Sequence, residues 1–355
     1  MLRVDINPED YYKDDIVVDY HHYRDMPWVD KSKYGDFKFC PWNFQMNELD
    51  RISPKPIEAK MEEAMHKGTN LHLTSALFFN VIEDKNLVPR IMEIPRESLF
   101  KESQMYWSFV DICNQVVPKG LLKDAEHQRF VSNFCQYEVD YWNYIVDLLG
   151  ATKDNMHRYW VPFRREMYLE NYDQMLYGTV DVLQRNPLFG TSKGRKMYGY
   201  PFIVIDYKTG KTPKSVMEGE GIPTDKLEEL HLYCWLVANA QTNVHMVKVK
   251  TMNDDLVEVE QEKREFDWVF PELKQDFMNL GCNILYLGED KPWYVKPRNT
   301  REKTMENVWK GIKNLRNTWK AGGPWTRETN EFKCRSCHQV TTCLDEDIVK
   351  AAADE

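Results

Sequence analysis

The feature that most restricts the fold is a short apolar run that ends in charge: Phe202-Ile203-Val204-Ile205-Asp206-Tyr207-Lys208-Thr209-Gly210. Four consecutive apolar residues before a turn signal fit a central strand covered on both faces. Strand side chains alternate, so Asp206 and Lys208 point one way and Tyr207 the other. A carboxylate and an ammonium on one face of a buried strand carry a desolvation cost unless a polar site faces them. The chain is therefore expected to bury a strand whose end opens into such a site.

A second segment, Tyr177-Gly178-Thr179-Val180-Asp181, also ends a strand-like stretch in an aspartate. If the two strands are neighbours, Asp181 and Asp206 converge on one hard cation, and Mg2+ or Mn2+ suits a pair of carboxylates completed by water and phosphate oxygens. Lys208 would then hold the attacking water or offset developing charge on phosphate. Taken singly, either aspartate reads first as a turn residue.

The surrounding pattern is α/β. Ser53-Pro54 is a helix-start signal for a helix through Ala64 and Met65 towards Leu71 and Leu77, interrupted or capped near Gly68. Residues 124–149 place Phe130, Phe134, Tyr137, Tyr141, Ile145 and Leu148 on one helical face, which makes Cys135 and the nearby Cys113 packing residues. Strands are expected at Arg164–Leu169, Gln174–Leu183, Phe202–Tyr207 and Val244–Lys250, and helices at 225–240, 268–286 and 301–321. Four parts follow: a polar extension over 1–35 that wraps the body, a helical part over 36–160, a core over 161–290, and a basic helix with clustered cysteines over 291–355.

Length and charge narrow the function. The 355 residues suffice for a large core, and 47 cationic against 56 anionic side chains give a net charge of −9, which excludes a uniformly basic nucleic-acid coat. No apolar run approaches the roughly 18 residues of a membrane span, and the acidic N-terminus lacks a secretory pattern, so an intracellular, cytoplasmic location is expected. No Gly-Lys-Ser/Thr phosphate loop is present, so a motor would have to be a separate partner.

Three of the eight cysteines crowd into Cys334-Arg335-Ser336-Cys337 and Cys343, with Cys40 far upstream in Phe39-Cys40-Pro41-Trp42. In a reducing compartment such thiols read as metal ligands. Zinc is the usual choice for four thiolates, but as two C-x2-C knuckles, and the second knuckle is missing. Residues 296–320 carry Lys296, Arg298, Arg301, Lys303, Lys310, Lys313, Arg316 and Lys320 against Glu302 and Glu306. This run reads as a phosphate-facing surface in which Trp309 and Trp319 either stack on bases or pack inward.

Taken in order, Gly68-Thr69-Asn70-Leu71-His72, Gly178-Thr179-Val180-Asp181 and Asp206-Tyr207-Lys208 resemble the RecB-like nucleases of the PD-(D/E)xK superfamily. The resemblance implies a restriction-endonuclease-like mixed central sheet flanked by helices. It also implies a metal held by His72, Asp181, Asp206 and the main-chain carbonyl of Tyr207, with Lys208 catalytic. Glu166 is a candidate second-metal or lysine-orienting carboxylate, or an ion-pair partner of Arg164 and Arg165. The family's Gln-x-x-x-Tyr helix appears as Glu229-Leu230-His231-Leu232-Tyr233, so DNA contact falls to Tyr233, to Glu229 in place of glutamine, or to His231. The 24 residues between Asp181 and Asp206 include Lys193, Arg195 and Lys196, either a phosphate-contacting hairpin or a solvated loop.

Cys40 with the C-terminal triplet resembles the iron–sulphur branch of that group, which includes the CRISPR-associated adaptation nuclease, the AddB nuclease domain and the eukaryotic single-strand exonuclease. It implies a [4Fe–4S] cluster that joins the N- and C-terminal helical parts, and exonuclease action on single-stranded DNA or DNA ends. A helicase, recombination or CRISPR adaptation partner is implied on the same ground. The alternative is a non-catalytic DNA- or partner-binding module on the same fold with a structural metal site.

Overall fold

The structure is a computed structural model. It describes residues 28–50, 59–96, 103–117, 121–171, 173–187, 201–241, 280–296 and 301–327, together with residues 2, 4, 6, 251, 252, 255, 256, 334, 337 and 343. The Ser53-Pro54 helix start, the Val244–Lys250 strand and the loop carrying Lys193, Arg195 and Lys196 lie outside the described residues.

A five-stranded mixed sheet forms the centre: β1 (Arg164–Asn171), β2 (Leu176–Arg185), β3 (Phe202–Lys208), β4 (Leu280–Tyr286) and β5 (Trp293–Val295), paired in that order. β3 and β4 are parallel and every other pairing is antiparallel. A parallel pair needs a crossover between its strands. Helix α5 (Thr224–Asn239) lies in that connection and packs on the sheet.

β3 is apolar on both sides because both faces are covered. Ile205 and Tyr207 join a core with helices α2 (Ala59–Asp84), α3 (Gln104–Val116) and α4 (Ala125–Leu149). Phe202 and Val204 join a second core with α5, α1 (Lys31–Phe39) and α6 (Arg301–Ala321). This mixed sheet between helical layers fits a restriction-endonuclease-like fold. Helix α4 runs where its periodicity places it, with Asp124 accepting from the His127 amide at 2.9 Å and Gly150 closing it at φ 59°. Cys113 and Cys135 are buried in the first core, their sulfurs 3.8 Å apart.

Three expectations need correction. The helix over 268–286 does not extend to its end: residues 280–286 are strand β4, all seven buried. A doubly buried strand and a buried helix segment look alike in an apolar run, and LGCNILY was read as the wrong one. Helix α2 continues through Gly68 without interruption. The boundary at residue 35 falls inside α1, and Val29 and Tyr34 are core residues. Among the described residues no helix is long and apolar enough to cross a membrane.

Candidate metal centre

The site lies where β2 and β3 part. Their ladder ends at Val182 opposite Ile205, and the next residues along the two strands are Asp181 and Asp206. Beyond that point a side chain takes over from the ladder: Asp181 Oδ2 accepts the Tyr207 amide at 2.7 Å. On β1, Glu166 lies between the paired residues Arg165 and Met167, with φ 41°. That left-handed backbone is costly for a glutamate and marks a residue held by its surroundings.

Helix α2 brings His72 from the opposite side. Its Nδ1 lies 3.4 Å from Asp181 Oδ1 and 3.7 Å from Glu166 Oε1. One donor atom from each of His72, Glu166 and Asp181 falls within 4.8 Å of the others, a grouping able to hold a metal ion. Asp206 borders the three. It is buried, and its oxygens meet cations rather than well-directed hydrogen bonds: Lys208 Nζ at 2.7 Å and Lys31 Nζ at 3.8 Å.

The electrostatics follow from packing the Glu166, Asp181 and Asp206 carboxylates into little water. Burial, then the Asp181 charge, raise the proton affinity of Asp206 against the opposing pull of Lys208 and Lys31. Burial also raises Glu166. Burial disfavours charge on His72, but hydrogen bonds and charges from Asp181 and Glu166 overcome it and push its pKa up to about 10. Asp181 is depressed despite its burial by His72, Lys31 and the Tyr207 amide. Clustered acceptor-only oxygens with one imidazole are the donor set a divalent cation takes.

The other expected site residues sort themselves by position. Lys208 also lies 3.5 Å from Glu229 Oε2, and Lys226 Nζ holds Oε1 of that carboxylate at 2.6 Å. Glu229 thus faces the lysine, while Glu166 sits with His72. Tyr233 is buried with its ring against Gly178, where a Cβ would come within 3.0 Å. His231 is fully buried, with Nδ1 2.7 Å from the Leu227 carbonyl oxygen, and does not line the cavity that Lys31, His72, Glu166, Asp181 and Tyr233 share. Lys310 and Lys313 are exposed on α6, but Arg316 of the same run donates to the Gln174 carbonyl. Trp309 packs edge-on against Trp235 at 5.0 Å and Trp319 against Phe44 at 6.1 Å, so both belong to the core.

Lys31 is the site residue that the sequence did not reveal. It opens α1, lies 3.8 Å from Asp206 and sits over the Tyr233 ring at 4.9 Å. Its only local sign is Asp30, a capping aspartate that accepts the Lys33 amide at 2.7 Å. Nothing in that cap points to the strands.

Cys40, Cys334, Cys337 and Cys343 form no disulfide. The Cys337 amide donates to the Cys334 carbonyl at 3.1 Å, and the Cys337 thiol lies 3.5 Å from Asn43 Oδ1, in the helical turn that Cys40 opens.

The chain matches the sequence model of the PD-(D/E)XK nuclease superfamily over residues 31–344. It belongs to that superfamily. The match begins at the lysine that reaches Asp206, so the PD-(D/E)XK region of this chain takes in α1 along with the sheet. Members of the superfamily are in general metal-dependent enzymes that cleave phosphodiester bonds, and the clustered carboxylates are suited to that chemistry. A comparison with curated proteins finds no match.

Proposed function

We propose that this chain is a metal-dependent DNA nuclease of the RecB-like iron–sulphur branch, acting as an exonuclease on single-stranded DNA or DNA ends. The observation that carries the reading is the convergence of His72, Glu166 and Asp181 within 4.8 Å, beside an Asp206–Lys208 pair at 2.7 Å.

His72, Asp181 and Asp206 would hold Mg2+ or Mn2+, with the Tyr207 carbonyl and with Glu166 closing the histidine side. The bound ion supplies Lewis acidity towards a phosphoryl oxygen and lowers the pKa of water. The protein's own contribution is positional. Asp181 is fixed by the Tyr207 amide, so its second oxygen keeps a set direction. Lys208, steered by Asp206 and Glu229, presents an ammonium to the attacking water or the phosphate. Lys31 adds a second positive charge on the opposite side of Asp206. The exposed Lys310 and Lys313 would neutralise phosphates away from the centre.

Cys40, Cys334, Cys337 and Cys343 would ligate a [4Fe–4S] cluster. Support comes from Cys337 reaching the turn after Cys40 across 294 residues of sequence, and from the Trp42 amide donating to the Thr326 carbonyl at 3.2 Å. A centre closing so long a loop stabilises the folded chain, because its ligands are brought together only there.

The test is digestion of end-labelled single- and double-stranded DNA with Mg2+ or Mn2+. Mononucleotide or short products from wild type, abolished in a folded Asp206→Ala variant, support the reading. Binding without cleavage under every ion would leave a DNA-binding module instead.

A further inference from the structure

On the other face of the sheet from Asp206 and Lys208 lies a cleft of about 430 Å³ built largely of tyrosine. Tyr137, at its centre, stacks on Tyr141 at 5.9 Å and 8°, and on Tyr294 of β5 at 5.6 Å and 28°. Tyr144 extends the stack from Tyr141 at 6.4 Å and 17°. Tyr144 and Tyr294 are 45% and 37% exposed, so the series of near-parallel rings ends in solvent at both sides. The floor is the Ile203 and Ile205 side of β3.

The arrangement is fixed before anything binds. Asn283, buried on β4, hydrogen-bonds the Tyr294 hydroxyl, and the Gln184 amide is held by the Tyr159 carbonyl at 2.8 Å. Large exposed rings in parallel are a poor choice for a solvated surface, since their faces stay wet. Aliphatic ligands do not need parallel rings; flat ones do.

Charge around the cleft selects the kind of flat ligand. Lys296 stands at its mouth, 6.0 Å from the Tyr294 ring. An ammonium beside exposed rings favours a flat ligand that also carries an anion. Amide side chains and the Asp140 carboxylate in the cleft suit the polar edges of bases better than phosphate, which Lys296 would take.

We propose that this tyrosine shelf binds unpaired bases of a single-stranded nucleic acid, with Lys296 holding a phosphate at its mouth, at a place separate from the metal centre. The inference rests on the nucleic-acid reading above, but it concerns strand capture and not cleavage. A strand held here would keep the DNA on the protein between cutting events.

The experiment measures fluorescence anisotropy of a labelled oligothymidylate with EDTA present, and in parallel cleavage of the same strand with Mn2+. Tyr144→Ala, Tyr144→Phe and Lys296→Glu are compared with wild type, each checked for an unchanged melting curve. Stacking losses predict at least fivefold weaker binding for Tyr144→Ala and near wild-type binding for Tyr144→Phe. Lys296→Glu should weaken binding and flatten its salt dependence. An abasic strand of equal charge should bind wild type and Tyr144→Ala alike. Unchanged affinity in Tyr144→Ala, with cleavage intact, overturns the shelf and leaves the nuclease reading standing. Weakened binding in a protein that never cleaves keeps the shelf and removes the nuclease reading. Saturable binding of a proline-rich peptide with no response to oligothymidylate also overturns it, since aromatic grooves take such peptides.

Discussion

Asp181 accepts the backbone amide of Tyr207 at 2.7 Å, which joins a candidate metal ligand to the strand that carries Asp206. The aspartate therefore has two functions, one structural and one electrostatic, and two substitutions separate them. Asp181→Asn keeps an acceptor for the amide and should retain the fold while losing divalent-ion binding. Asp181→Ala leaves a buried N–H without its partner and should cost an additional ~1–3 kcal/mol. Calorimetric Mn2+ titration and thermal melting distinguish the two; equal stability of both variants would contradict the structural half.

On the proposed reading, Lys31, 3.8 Å from Asp206, would compete with a bound cation for that carboxylate. Lys31→Met should therefore strengthen Mn2+ binding, by about three- to tenfold after allowing for partial solvent screening, while lowering the cleavage rate. Weaker metal binding in this variant would show that Lys31 organises the carboxylate rather than competing for it.

Glu138 sits in the first core, buried, accepting the Trp160 indole N–H at 3.0 Å. Burial pushes its pKa from 4.5 to about 8. The native state keeps the proton that the unfolded chain releases, so this residue makes stability fall as pH rises from about 4.5 to about 8. Glu138→Gln preserves an acceptor for Trp160 and removes that dependence, raising stability by up to about 3 kcal/mol at pH 7. Denaturant midpoints at pH 5 and pH 8 should converge for the variant and diverge for wild type.

Gly311 lies inside α6, where alanine would ordinarily favour the helix by about 1 kcal/mol. A Cβ there would meet the Tyr34 ring at 2.5 Å, and Tyr34 is fixed through its hydroxyl to Glu228 at 2.8 Å. Gly311→Ala should thus destabilise the protein by ~1–3 kcal/mol, read as a lower melting temperature. Tyr34→Ala in the same chain should remove the clash and lessen the penalty.

The proposed cluster predicts that anaerobically purified protein is brown, and that Cys40→Ser loses both its visible absorbance and its iron. Cys113→Ser, placed in the helical core, should keep both. Colourless wild-type protein containing zinc would refute the iron assignment.

The sequence alone determined what depends on local periodicity and residue chemistry. Residues 124–149 could only bury one face of a helix, and α6 followed from the stripe of Val308, Ile312 and Leu315 in the same way. Ile203 to Lys208 announced a covered strand ending in charge, since no other arrangement of that run avoids burying its charges unpaired. Gly178 stands inside the strand ahead of Asp181, and only the structure shows that its missing side chain admits the Tyr233 ring. Tertiary structure decided the rest because the deciding neighbours are distant in sequence. LGCNILY became a strand because helices cover both of its faces, a fact that apolar content alone does not encode. Glu229 found Lys208, Glu166 found His72, and Lys31 crossed from an apparently peripheral segment to Asp206. Charge pairing at a buried site is set by which elements pack there, so the sequence could supply the charged residues but only the packing chose their partners.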